Sequence, residues 1–160
     1  MKRLAEIIKP YLRLLRVGNL AFTAILLYVM EKWVAVPLLQ TAQFREQMPW
    51  WVLVLLIIST VMIAAGGYVI NDYFDVKIDR INRPDDMVVT RHISREGAMR
   101  LSMILSGIGV VTGLAAAWWA HSWTLMMIFV VIPGLLWFYS ASYKRQLIVG
   151  NIVVAFVSAL

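Results

Sequence analysis

Asp72, Asp75 and Asp79 are spaced three and four residues apart in the stretch N-D-Y-F-D-V-K-I-D-R-I-N-R-P, which begins at Asn71 and ends at Pro84. On an α-helix at about 100° per residue, placing Asp72 at 0° puts Asp75 near about −60° and Asp79 near about −20°. Three carboxylates then share an arc of about 60° over two turns, with Asn71 at its edge one turn before Asp75. Like charges at this spacing repel one another, and a cation among them removes the conflict. The carboxylates offer hard oxygen donors of the kind that suit Mg²⁺, an ion that keeps several waters and commonly bridges carboxylates to substrate phosphates. Arg80, Arg83, Arg91 and Arg95 follow closely and carry the donor fork that grips phosphate oxygens. Asp85 and Asp86 come after Pro84, which breaks a helix, and read as loop residues.

The elements that must position this set are apolar. The chain has 160 residues, 61% hydrophobic and 15% charged, against about 45–50% and about 25% in soluble domains. The excess falls in blocks of about 20 residues, the length that crosses a bilayer as a helix. The expected fold class is all-α, a multi-spanning transmembrane helical bundle forming one membrane domain over residues 1–160. Residues 1–16, with Lys2, Arg3, Lys9, Arg13 and Arg16, read as a basic interfacial segment. Helix 1 is expected from Leu12 to Met30, followed by a connection from Glu31 to Pro49 in which Trp33–Leu39 lies at the interface. Helix 2 is expected from Trp50 to Ile70, with Gly66-Gly67 allowing close packing or local unwinding. After the polar connection at 71–100 come helix 3, Leu101–Ala120, with Ser94 as N-cap, and helix 4, Trp123–Tyr143, kinked at Pro133. Leu147–Leu160 reads as the start of a fifth helix, so four helices are complete.

Thirteen of the fifteen Lys/Arg fall in the N-terminal segment, the 71–100 stretch and the turn at 143–147. The positive-inside rule therefore predicts a multi-pass protein of the cytoplasmic (inner) membrane, with the N-terminus and acidic stretch facing the cytoplasm. Trp50, Trp51, Trp118, Trp119 and Trp123 mark the opposite interface. The +6 net charge thus calls for no nucleic-acid partner, and with no cysteine there is neither a disulfide framework nor a thiolate metal site. Asn19 and Asn151 are amides in apolar helices, suited to helix–helix hydrogen bonds or to lining a cavity. His92 and His121 have no metal-ligand partner at useful spacing and read as structural. A cation transporter or channel would need polar groups deep within the spans, and helices 2 to 4 carry essentially none.

The run from Asn71 to Pro84 resembles the N-D-x-x-D-x-x-x-D signature of the UbiA superfamily of intramembrane prenyltransferases. The continuation Asp79-Arg80-Ile81-Asn82-Arg83-Pro84 is most similar to the digeranylgeranylglyceryl-phosphate synthase and chlorophyll synthase branches. Further likeness comes from Arg16 and Asn19 in helix 1, Ile93-Ser94 with Ala98 before helix 3, and Tyr139-Ser140, Lys144 and Gly150-Asn151 near helix 5. The resemblance implies about nine transmembrane helices around a central cavity, and transfer of a prenyl group, with geranylgeranyl the nearest subtype. The donor would be a prenyl diphosphate and the acceptor a hydrophobic or glycerol-phosphate-type molecule. Asn71, Asp72, Asp75 and Asp79 would hold Mg²⁺, with the three aspartates catalytic. Asn19, Arg16, Arg80, Arg83, Tyr139 and Lys144 would bind substrate. Two departures stand out: Asp85-Asp86-Met87-Val88-Val89-Thr90 replaces the family's second Arg-Pro turn, and the family's second acidic motif has no counterpart here. The chain is accordingly expected to be the N-terminal part of a longer enzyme, with the missing C-terminal half completing the site. A non-catalytic half needing a partner chain is the remaining alternative.

Overall fold

The computed structural model describes residues 2–43 and 48–142, and among these every regular element is a helix. Helix α1 spans Lys2–Leu14, α2 Val17–Thr41, α3 Trp50–Asn82, α4 Arg95–Trp119 and α5 Trp123–Ala141. The four helices α2 to α5 are each long and apolar enough to cross a membrane, and the chain is an integral membrane protein.

The first span differs from its expected bounds of Leu12–Met30. The chain breaks at Arg16, whose backbone is left-handed (φ 50°), so the basic segment forms a separate helix. Length is recovered at the other end. Glu31–Ala35 forms a π-helical turn and Val36–Thr41 continues as α-helix, so Trp33–Leu39 belongs to the span and not to a connection. Glu31 and Lys32 do not end the helix because backbone hydrogen bonding carries through them: the N–H of Glu31 donates to the carbonyls of Leu27 and Tyr28.

Helix α3 is the axis of the bundle and contacts α1, α2, α4 and α5. Its 33 residues measure about 50 Å, whereas a hydrocarbon core is about 30 Å thick. Residues 71–82, expected within a connection, are therefore a helical extension beyond the apolar length, and the true loop is confined to 83–94. Helix α4 starts at Arg95, directly after the expected cap: the Ser94 side chain accepts from the Gly97 N–H at 3.0 Å. Helix α5 continues through Pro133 and ends at Ala141. The expected fifth span at 147–160 falls outside the described residues.

Small residues let the backbones approach. The Ser59 hydroxyl donates to the Gly109 carbonyl at 2.7 Å, and Ser102 donates to the Gly66 carbonyl at 2.9 Å, both buried between α3 and α4. A Cβ on Gly109 would come 2.8 Å from the Ser59 carbonyl oxygen. Gly66 faces α4, while a Cβ on the adjacent Gly67 would meet Leu136 of α5 at 3.1 Å. The Gly66-Gly67 pair thus serves close packing on two sides, and α3 does not unwind there.

Candidate functional site

The two ends of the bundle differ. At one, Trp51 and Trp119 meet edge to face with ring centroids 5.7 Å apart. At the other, α1 and the 83–94 loop fold over the last turns of α3. Leu14, Val69, Val76, Val88, Val89 and Ala98 form a buried cluster there. This apolar floor ties α1, α3, α4 and the loop together. The loop itself closes in a tight turn, in which the N–H groups of His92 and Ile93 both point to the Val88 carbonyl and Thr90 takes a left-handed backbone (φ 80°). The hydroxyl of Tyr11 on α1 donates to the His92 carbonyl at 3.3 Å.

Above the floor opens a cleft of about 400 Å³, lined by Arg13, Arg16, Asp72, Asp79, Arg83 and Asp86 over Leu14 and Met87–Val89. Two ion pairs cross it, Arg13–Asp86 at 2.8 Å and Arg16–Asp72 at 3.6 Å, and a third, Arg83–Asp79 at 3.6 Å, joins neighbouring turns at the end of α3. Asp72 is largely withdrawn from water; Arg16 and Arg83 favour its negative charge while Asp75 and Asp79 oppose it. The Arg16 guanidinium also stands over the Tyr68 ring at 4.8 Å, a cation–π contact that fixes its direction. Asn71 donates through Nδ2 to Asp75 Oδ2 at 3.0 Å, one turn along the helix.

The structure thus brings Arg16, Asp72, Asp79 and Arg83 into one cleft, with Asn71 and Asp75 adjoining on the same helix. Arg80 is exposed and does not line the cleft. Asn19 is exposed on α2, and its carbonyl accepts from the Thr23 hydroxyl at 2.9 Å. Tyr139 is half-buried on α5, whose end is drawn to the level of the motif by the edge-to-face pair Phe74–Trp137 (5.9 Å). Lys144 and Asn151 lie outside the described residues. Arg91 pairs with Asp85 at 3.8 Å and Arg95 stacks over Tyr73 at 4.8 Å, so both are turned to other partners.

Sequence reasoning did not anticipate Arg13 and Asp86 as cleft residues. Arg13 read as an interfacial charge and Asp86 as a loop residue after Pro84. Their pairing depends on the break between α1 and α2 at the left-handed Arg16, a residue that is neither Gly nor Pro.

Carboxylates and guanidinium groups facing one another over an apolar floor can hold a cation and an oxyanion together. Among the described residues no three His, Cys, Asp or Glu side chains close around a single point. Mg²⁺ needs no such cage, since it is commonly held by one or two carboxylates plus waters and substrate phosphates. Asp72 and Asp79 in one cleft fit an open site of that kind.

A known protein shares this arrangement of helices. The chain is 32% identical over 157 residues to a digeranylgeranylglyceryl phosphate synthase of Sulfurisphaera tokodaii, and 33% identical over 153 residues to one of Sulfolobus acidocaldarius; each match covers 96% of this chain and 50% of the relative. A solved structure from work on digeranylgeranylglyceryl phosphate synthase in membranes superposes with a TM-score of 0.75 at 27% identity, covering 96% of this chain and 50% of that one. The chain therefore spans about half the length of the curated relatives it matches. The sequence pattern of the UbiA prenyltransferase family matches residues 33–160, and the chain belongs to that family.

Proposed function

We propose that this chain supplies the diphosphate-binding half of a prenyltransferase that moves a prenyl group, geranylgeranyl by similarity, from a prenyl diphosphate to a glycerol-phosphate-type acceptor. The observation that carries the reading is the cleft in which Arg16, Asp72, Asp79 and Arg83 meet over an apolar floor at the end of a membrane helix. The relatives' names support the acceptor class.

In this reading Asp72, Asp75 and Asp79, with Asn71 orienting Asp75, hold Mg²⁺. When bound, the ion supplies neutralisation of the charge that develops on the departing diphosphate. Arg16 and Arg83 exchange their carboxylate partners for phosphate oxygens, with Tyr139, Lys144, Asn19 and Arg80 as further substrate contacts. The bond from the allylic carbon to the diphosphate oxygen breaks with its electron pair leaving on the diphosphate. The acceptor hydroxyl oxygen forms the new bond to that carbon and releases its proton. The apolar floor and surrounding helices exclude water, so that the acceptor captures the allylic cation. The remaining half of the relatives' length is the expected source of the facing wall. The distribution of Lys/Arg supports a cytoplasmic location for this end of the bundle.

The test is diphosphate release from geranylgeranyl diphosphate by the full-length protein in lipid, with a glycerol-phosphate ether acceptor, with and without Mg²⁺. Release that requires acceptor and Mg²⁺ and is lost in Asp72→Asn supports the reading. Release indifferent to Asp72→Asn and to Mg²⁺ overturns it.

A further inference from the structure

The acidic motif occupies one side of the last turns of α3, and the opposite side is basic. At about 100° per residue, Lys77 lies about 140–160° round the helix from Asp72, Asp75 and Asp79. It follows Tyr73 by one turn, and helical side chains lean towards the N-terminus, so Lys77 leans over Tyr73. There α3 meets the first turns of α4 in a shallow depression of about 340 Å³, lined by Tyr73, Arg95, Glu96, Met99 and Arg100. The Arg95 guanidinium lies on the Tyr73 ring at 4.8 Å. Lys77, Arg95 and Arg100 are all exposed. Glu96, the one carboxylate in the lining, pairs with Arg100 at 3.6 Å where both side chains are more than three-quarters exposed, a contact that contributes little in water. Among the described residues neither Lys77 nor Arg95 belongs to an ion pair. Three cations against one carboxylate leave this side of the helix with a clear excess of positive charge.

Depth along the bundle identifies the partner for that charge. The uncharged run of α3 at residues 50–70 is about 31 Å long, close to the thickness of a hydrocarbon core. Tyr73 follows within one turn, so the depression stands at the level of the lipid headgroups. Along α4 the cations give way to apolar surface: Met103 and Ile104, one turn after Met99 and Arg100, are exposed. Exposed cations at headgroup level above exposed hydrocarbon match a lipid with an anionic head, and each basic residue beside an anionic leaflet adds to the attraction. We infer that Lys77, Arg95 and Arg100, with Tyr73 holding Arg95, form a seat for the headgroup of an anionic lipid whose chains descend over Met103 and Ile104. The seat is on the back of the motif helix and shares no lining residue with the cleft, so the inference stands apart from the prenyl-transfer reading.

The experiment titrates the full-length protein in neutral detergent with dioctanoyl phosphatidylglycerol, with dioctanoyl phosphatidylcholine and with inorganic phosphate, and counts bound lipid by native mass spectrometry. The wild type is expected to bind the anionic lipid at least about tenfold more tightly than the zwitterionic one, the scale of two basic residues acting together. Lys77→Gln and Arg95→Gln should each weaken binding of the anionic lipid about fivefold, the scale of one such residue. Glu96→Gln removes the opposing carboxylate and should tighten binding, a change that a folding defect does not produce. Lys32→Gln, at a cation about 22 Å along α2 from Val17, should leave binding unchanged. Equal affinities for the two lipids, a preference that survives in the Lys77→Gln/Arg95→Gln double variant, or an equal loss in Lys32→Gln overturns the inference. Displacement of the lipid by phosphate at comparable concentration also overturns it, because the site would then serve a free anion.

Discussion

Arg16 Nη2 stands 3.6 Å from Asp72 Oδ1 across the break between α1 and α2. The same residue has the left-handed backbone that makes the break, so one position sets both the path of the chain and the charge facing the motif.

These two roles separate in Arg16→Gly. Glycine adopts positive φ without steric cost, so the turn should survive with stability unchanged or raised by up to about 1 kcal/mol, the lost ion pair being partly exposed and weak. Diphosphate release should fall about 10- to 100-fold, the effect of one charged contact. Thermal unfolding followed by tryptophan fluorescence, beside the release assay, checks both halves; a variant that unfolds early with normal release contradicts the assignment.

Asp75 differs from Asp72 and Asp79 in being held by Asn71 at 3.0 Å. Asp75→Asn is expected to abolish release at any Mg²⁺ concentration. Asn71→Ala leaves the carboxylate in place with less orientation and should raise the Mg²⁺ needed for half-maximal release. A Mg²⁺ titration of release distinguishes the two patterns, and wild-type behaviour in Asp75→Asn would retire that residue as a ligand.

The seam between α3 and α4 gives a prediction about stability alone. At Gly109 a new Cβ would press on the Ser59 carbonyl, whereas nothing lies within 4 Å at Gly107. Gly109→Ala should destabilise by about 1–3 kcal/mol, the usual cost of overpacking. Gly107→Ala, two residues away on the same helix, should be neutral or stabilising by about 0.5–1 kcal/mol. Comparing the Tm of the two variants in the same lipid is the check.

Thr90 offers a gain. A β-branched residue at φ 80° is strained at a cost of order 1–3 kcal/mol, and glycine removes that penalty. Thr90→Gly should therefore raise the Tm despite the added freedom of the unfolded chain. A lowered Tm would show that the hydrogen bonds of the Val88–Ile93 turn, and not its backbone preference, dominate.

The acidic motif was legible in the sequence because two signals coincide at Ile70: the apolar run ends, and the i, i+3, i+7 spacing of Asp72, Asp75 and Asp79 continues the helix. Pro84 then marks where it stops. Elsewhere the signals misled. Glu31 and Lys32 read as the end of a span, yet charges at a helix end do not interrupt backbone hydrogen bonds, and α2 runs on to Thr41. Arg16 gives no turn signal, since a left-handed arginine is held by its surroundings and not by its own preference. Arg13 meeting Asp86 is a contact between positions 73 residues apart (86 − 13), and a pairing of that separation leaves no local trace. Ser94 was read correctly as a cap because its partner, the Gly97 N–H, is three residues away.

Helix α3 has no break between Trp50 and Asn82, and it carries the packing seam and the acidic motif on one rod. From Ile63 in the seam to Asp79 is about 24 Å at 1.5 Å per residue, so a tilt of about 10° moves the motif by about 4 Å. That displacement is as large as the 3.6 Å between Arg16 and Asp72. Bilayer thickness contributes to how membrane helices tilt, and because the rod is unbroken any tilt set at the seam is carried undamped to the motif and to the apolar cluster that ties it to α1.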